Sequence, residues 1–217
     1  MQISWNCVRI FTIPTPSLRR SCKDMREPIK RLRLFLLVTS LALAVPASAF
    51  ESSKIIPATG TIEYAFTPGD DAAGLIVRTI DAAKSQVLVQ AFSFTHRDIA
   101  DALVRAHQRG LDVQVIADLD QTELNTSSAM RHLVESGLRV FTDADHSAAH
   151  NKVIIIDHNE KQPTLVSGSF NFTFAAQNRN AENLLVFHGN PDLIRAFFSN
   201  WRLHREHAIA VIRSRSR

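Results

Sequence analysis

The chain has 217 residues, with 25 basic and 21 acidic side chains, a formal net charge of +4 and two cysteines. The excess positive charge sits in residues 1–49, which hold eight basic and two acidic residues; residues 50–217 carry 17 basic against 19 acidic ones. This excludes a globally basic nucleic-acid binder, so attraction for anions must be local. With Cys7 and Cys22 both in the first segment, it also excludes a disulfide framework in the remainder.

Lys30, Arg31 and Arg33 precede the apolar run Leu34–Val45, which Pro46 and Ala47-Ser48-Ala49 follow. A basic region, a short apolar stretch and a small-residue site form a secretory signal pattern, with cleavage expected after Ala49 and a periplasmic or secreted product. The run is short against the roughly 20 apolar residues of a membrane span. Residues 1–49 are therefore read as leader and signal peptide, for which Met25 is an alternative start, and residues 50–217 as a single catalytic domain.

The pattern over 62–66 predicts a strand, and Thr67-Pro-Gly-Asp-Asp71 a turn whose Asp70 or Asp71 caps a helix. Leu75, Ile76, Thr79, Ile80 and Ala83 recur at helical spacing. A strand is predicted over 86–92, a helix over 98–108 ended by Gly110, a strand over 113–117, a helix over 127–136 stopped by Gly137, and a strand over 139–141. Residues 150–156 and 164–169 read as two strands joined by the polar turn 158–163. A strand over 183–187, a helix over 191–204 and a disordered basic tail over 208–217 complete the chain. Strands alternating with helices predict an α/β fold, an α-β-α sandwich around a mixed β-sheet.

His150-Asn-Lys152 and, further on, Gly168-Ser169-Phe-Asn171 carry the chemistry. Side chains alternate along a strand, so His150 and Lys152 share a face while Asp157 has the opposite parity. Asp157 is read as structural, anchoring the strand end or pairing with a buried donor. Ser169 and Asn171 share a parity and can project toward one ligand. A neutral imidazole can attack phosphorus and form a phosphohistidine. Lys152 supplies charge, and Ser169 and Asn171 hydrogen bonds, for the non-bridging phosphate oxygens. The leaving oxygen still needs a proton, which a second, protonated histidine would supply.

His-x-Lys-(x)4-Asp followed by Gly-Ser-x-Asn resembles the signature of the phospholipase D superfamily, and the segment is most similar to its small, single-motif bacterial nucleases. Gln90-Ala-Phe-Ser-Phe-Thr95, Val115-Ile-Ala-Asp118 and Asn180-Ala-Glu-Asn183 extend the likeness over about residues 60–204. The stretch between Asp157 and Gly168 is longer than the family's usual six residues, which leaves the role of the loop 158–163 open. The resemblance implies a phospholipase D-like fold and an active site made from two motifs. This chain has one; His107-Gln-Arg109 lies on a predicted helix and lacks the downstream residues. The resemblance thus implies a homodimer with its composite site at the two-fold axis, one His150 as nucleophile and its mate as general acid. It further implies that Glu182 orients the histidine through its other ring nitrogen, with Gly168 a structural member of the motif.

No cofactor is expected, and no metal. His204 and His207 lie about one helical turn apart and His146 four residues before His150, but no cysteine and no His-Glu-x-x-His pattern accompanies them. His204 and His207 read as a solvated helix end. Phe92, Phe94, Phe170, Phe172 and Phe174 could stack on bases or pack in the core. Lys152, Arg179, Arg97 and the tail arginines are the cations available to a nucleic-acid substrate. The expected activity is that of a metal-independent, nonspecific exported endonuclease; the alternative is a phospholipase D acting on phosphatidylcholine or related membrane phospholipids.

Overall fold

The computed structural model describes residues 53–124 and 128–212. The leader, its cleavage point and residues 213–217 lie outside them. In chain order the elements are β1 (Thr61–Thr67), α1 (Ala72–Asp81), β2 (Gln86–Ala91), α2 (Arg97–Gln108), β3 (Asp112–Asp118), α3 (Leu119–Leu124), α4 (Ser128–Glu135), β4 (Arg139–Asp143), β5 (Lys152–Ile156), β6 (Thr164–Gly168), α5 (Phe174–Asn178), β7 (Glu182–His188), α6 (Pro191–His207) and β8 (Ile209–Ala210). They form one eight-stranded sheet in the order β1-β7-β6-β5-β2-β3-β4-β8. The pairs β2–β3 and β3–β4 are parallel and the remainder antiparallel, so the sheet is mixed.

The apolar periodicity dictates which face each helix covers. Leu75, Ile76 and Ile80 of α1, Ile99 and Leu103 of α2 and Leu133 of α4 pack on one face of the sheet, against Val87, Val89, Val113, Val115, Ile154, Ile156 and Val166. Ile194 and Trp201 of α6 cover part of the other, over Leu88, Ile116, Phe141, Val153, Ile155 and Leu165. Each such side chain contributes roughly 1.5–3 kcal/mol on burial. Because both faces of β5 are covered, its residues form one continuous buried run rather than an alternating one. Among the described residues no helix is long and apolar enough to cross a membrane.

Local capping explains several boundaries. Asp71, not Asp70, caps α1, its carboxylate accepting from Gly74 N. The short helices α3 and α5 carry no apolar stripe to betray them. One begins where the Asp118 carboxylate accepts from Gln121 N, the other where Thr173 Oγ1 accepts from Ala176 N.

Three expectations are corrected. The strand expected from His150 begins at Lys152, so His150 ends a loop. The tail is ordered through its first residues: Ile209 and Ala210 pair with Thr142 and Phe141 and cover the otherwise open edge of β4. The end of α6 is not merely solvated, because His204 and His207 lean onto Asp143.

Topology places the motif. The parallel strands β2, β3 and β4 end together at Ala91, Asp118 and Asp143, and β5 starts beside them with Lys152 opposite Ala91. The connection from β4 to β5 therefore runs along the carboxyl ends of the parallel strands, where open α/β sheets bind their ligands. Asp118 pins it by accepting from Ala149 N at 2.8 Å, and Phe92 N donates to Asn151 O at 2.8 Å.

Candidate active site

His150 is exposed at the end of that connection, while the next strand carries Lys152 into a buried position. The Lys152 ammonium lies 2.9 Å from His150 Nδ1 and 3.3 Å from Nε2, and donates to the His150 carbonyl at 2.7 Å. Phe92, the first residue after β2, closes the group. Its ring centroid is 4.2 Å from that of His150, and Lys152 Nζ lies 4.8 Å from the Phe92 centroid. Burial holds the Lys152 ammonium down at about 8, against the opposing charge of Glu182.

At the end of the neighbouring strand β6, Ser169 Oγ donates to Glu182 Oε2 at 2.6 Å and accepts from Asn183 N at 3.0 Å. Asn180 Nδ2 donates to the other oxygen of Glu182 at 2.9 Å. Within one chain, then, Glu182 is bonded to Ser169 and Asn180, and His150 to Lys152. Gly168 allows this arrangement. A Cβ there would meet Asn183 O at 2.3 Å, so only glycine lets β6 and β7 approach closely enough for Ser169 N to reach that carbonyl. Asn171 is partly buried, and its carboxamide oxygen has no hydrogen-bond partner among the described residues.

Asp157 stands apart from this group, roughly 16 Å along β5 from Lys152. Its carboxylate accepts from Lys84 N, Ser85 N and Gln86 N at 2.8–3.0 Å and from Ser85 Oγ at 3.0 Å, tying the strand end to the turn before β2. Burial acts to raise its pKa, but the backbone donors outweigh it and hold the carboxyl below its ordinary value. The loop 158–163 sits at this same far end of β5, joining it to β6.

The structure also sorts the aromatic and basic candidates. Phe94, Phe170 and Phe172 are core residues. Phe92 packs on the histidine, and the periodicity of β2 gives no sign of that contact. Phe174 is exposed, with the Arg179 guanidinium 6.0 Å from its ring centroid. Arg97 is paired with Asp101 at 3.1 Å.

A loop-borne imidazole against a buried ammonium, beside a serine–glutamate pair at the carboxyl ends of parallel strands, defines an enzyme site for phosphoryl-group chemistry. A family profile described as "Cardiolipin synthase, PLD-like domain" matches residues 76–201. Phospholipase D of Rickettsia conorii is 32% identical over 167 residues, 76% of this chain and 80% of that protein. The mitochondrial cardiolipin hydrolase of Canis lupus familiaris is 28% identical over 85% of this chain and 70% of its own. The crystal structure of Nuc from Salmonella typhimurium, a phospholipase D family member, superimposes with a TM-score of 0.66 at 33% identity. It covers 71% of this chain and all of that one. The chain belongs to the phospholipase D superfamily and is a phosphodiester hydrolase of that family.

Proposed function

We propose that the protein is an exported, nonspecific endonuclease that cleaves DNA and RNA without a catalytic metal, acting as a homodimer. The contact between His150 and Lys152 on the exposed end of the sheet carries this reading. A phosphodiester entering there draws the ammonium onto a non-bridging oxygen, and Ser169 and Asn171 hydrogen-bond the phosphate. A ring nitrogen of His150 attacks phosphorus in line with the leaving oxygen. The P–N bond forms, the P–O bond breaks, and the leaving oxygen takes a proton from the partner's His150. Water then attacks the phosphohistidine and gives its proton to the partner's imidazole; the new P–O bond forms as the P–N bond breaks, freeing His150 and the phosphomonoester product.

Two observations support the second subunit. The Asn171 carboxamide oxygen is buried but unpaired among the described residues. In addition, Ile62, Tyr64 and Phe66 of β1 are 57, 62 and 56% exposed, on the sheet face that α6 covers only further along. Phe66 pairs with Asn183, whose backbone holds Ser169, so this apolar strip starts beside the half-site. Glu182, not bonded to its own His150, then orients the partner's histidine across the axis. Phe174 with Arg179 offers a stacking surface for a base.

The second reading, hydrolysis of phosphatidylcholine or a related phospholipid, is favoured by the names of the Rickettsia and mitochondrial relatives. Purified protein is offered plasmid DNA, RNA and phosphatidylcholine vesicles in excess EDTA, with circular dichroism confirming that it stays folded. Nicking that persists in EDTA supports the nuclease. Choline release without nicking replaces it with the lipid reading. Loss of both activities in folded protein contradicts metal-free catalysis.

A further inference from the structure

A second constellation lies at the other end of the connection that delivers His150. Asp143 ends β4, His146 follows three residues on, and His204 and His207 occupy the last turn of α6, three apart and so on one helix face. The Asp143 side chain is fully buried. Its Oδ2 lies 2.7 Å from His204 Nδ1 and 3.1 Å from His207 Nε2, and its Oδ1 lies 3.3 Å from His146 Nδ1. One donor atom from each of the four residues falls within 4.8 Å of all the others. His207 Nε2 is buried and, despite its nearness to the carboxylate, has no partner in hydrogen-bond geometry among the described residues. That nitrogen is shielded from water and faces the carboxylate without a well-directed hydrogen bond, the position of an atom that awaits a ligand.

From this geometry we propose that Asp143, His146, His204 and His207 form a structural zinc site. Three imidazoles and one carboxylate are a donor set that Zn2+ takes in tetrahedral geometry. Metal–donor bonds near 2.0–2.1 Å place neighbouring donors about 3.3 Å apart; the contacts with Asp143 are already at 2.7–3.3 Å, and the wider spacings in the set, all within 4.8 Å, close on binding. Four protein donors leave no open position, which marks the site as structural rather than catalytic. Asp145 lies 3.8 Å from His207 Nδ1, on the side where a ligating histidine is commonly backed by a carboxylate.

The ion clips the end of α6 to the β4–β5 connection, four residues before His150. It gives residues 50–217, which contain no cysteine, the kind of cross-link that a disulfide supplies elsewhere. The site is separate from the phosphodiester chemistry, and the proposal stands whichever substrate the enzyme takes.

The test uses the full chain, stripped with chelator, exchanged into chelator-free buffer and titrated with ZnCl2 by calorimetry. Metal content is measured after desalting. The expected result is one zinc per chain, and a thermal midpoint about 5–10 °C higher at zinc a hundredfold above its dissociation constant. Co2+ in its place should give the intense visible absorption of a tetrahedral ion. His204→Gln with His207→Gln should abolish binding, and His150→Ala should retain it. Absence of zinc binding by the wild-type protein overturns the proposal irrespective of how the variants fold. Undiminished zinc in the double variant overturns it by placing the ion elsewhere. EDTA should lower the thermal midpoint while leaving the phosphodiesterase rate well below that midpoint unchanged.

Discussion

Lys152 holds His150 by both ends of the residue, its ammonium 2.7 Å from the backbone carbonyl and 2.9 Å from Nδ1 of the ring. A buried cation thus fixes the one exposed imidazole of the motif before any substrate arrives. It is also the nearest positive charge for the phosphate that must displace it.

Lys152 sets a basic limb on activity. It is charged below about 8 and neutral above, so kcat/KM should fall as pH rises through that value. Lys152→Met should remove the limb and lower kcat/KM about 10²–10³-fold, the usual cost of one lost transition-state donor. For stability the sign is opposite. Between about 8 and the ordinary 10.5 the unfolded chain binds the extra proton, so folding gains stability with rising pH across that window. Urea titrations of wild type and variant over the same range check both statements.

Asp157→Ala should leave three part-buried backbone N–H groups and a hydroxyl without their acceptor. A loss of about 2–4 kcal/mol is expected, with near-normal kcat/KM in the fraction that stays folded. The folded carboxyl titrates below its unfolded value, so its contribution is present above the ordinary carboxylate range and is lost as pH falls through the folded value. The variant should therefore show a flatter acid limb in denaturant midpoints.

Gly168→Ala drives a methyl group to 2.3 Å from Asn183 O. The strands must part, at about 1–3 kcal/mol. Because the displaced carbonyl receives Ser169 N, activity should fall by more than the stability change explains. Comparing kcat at a temperature where both proteins are fully folded separates the two effects.

Tyr64→Glu with Phe66→Glu places two charges on the exposed strip of β1. The pair should sediment as a monomer with native circular dichroism and lose most phosphodiesterase activity, because in the proposed dimer each chain holds half a site. A monomer with full activity would show that one motif suffices.

Much of this was legible in the sequence where the physics is local. The 3.6- and 2-residue periods locate the main helices and strands, and strand parity separates Lys152 from Asp157. The parts that stayed hidden depend on partners far along the chain. Asp118 pins Ala149 across 31 residues, and Asp143 meets His204 across 61. Neither leaves a trace in periodicity, so the loop position of His150 and the histidine cluster appear only in three dimensions. The packing of Phe92 on His150 is of the same kind. It depends on β2 and β5 being neighbours, which the order of elements does not dictate. The α3 and α5 helices were illegible for another reason: they are one-turn segments fixed by a single capping side chain.

The central claim is that His150 becomes covalently phosphorylated. Denaturing the enzyme within milliseconds of mixing with a 32P-labelled oligonucleotide, in excess EDTA, and mapping the label by mass spectrometry tests it directly. The expected result is an acid-labile, alkali-stable adduct on His150 that is absent in His150→Ala. Steady turnover with no labelled protein, or cleavage undiminished in His150→Ala, would contradict it.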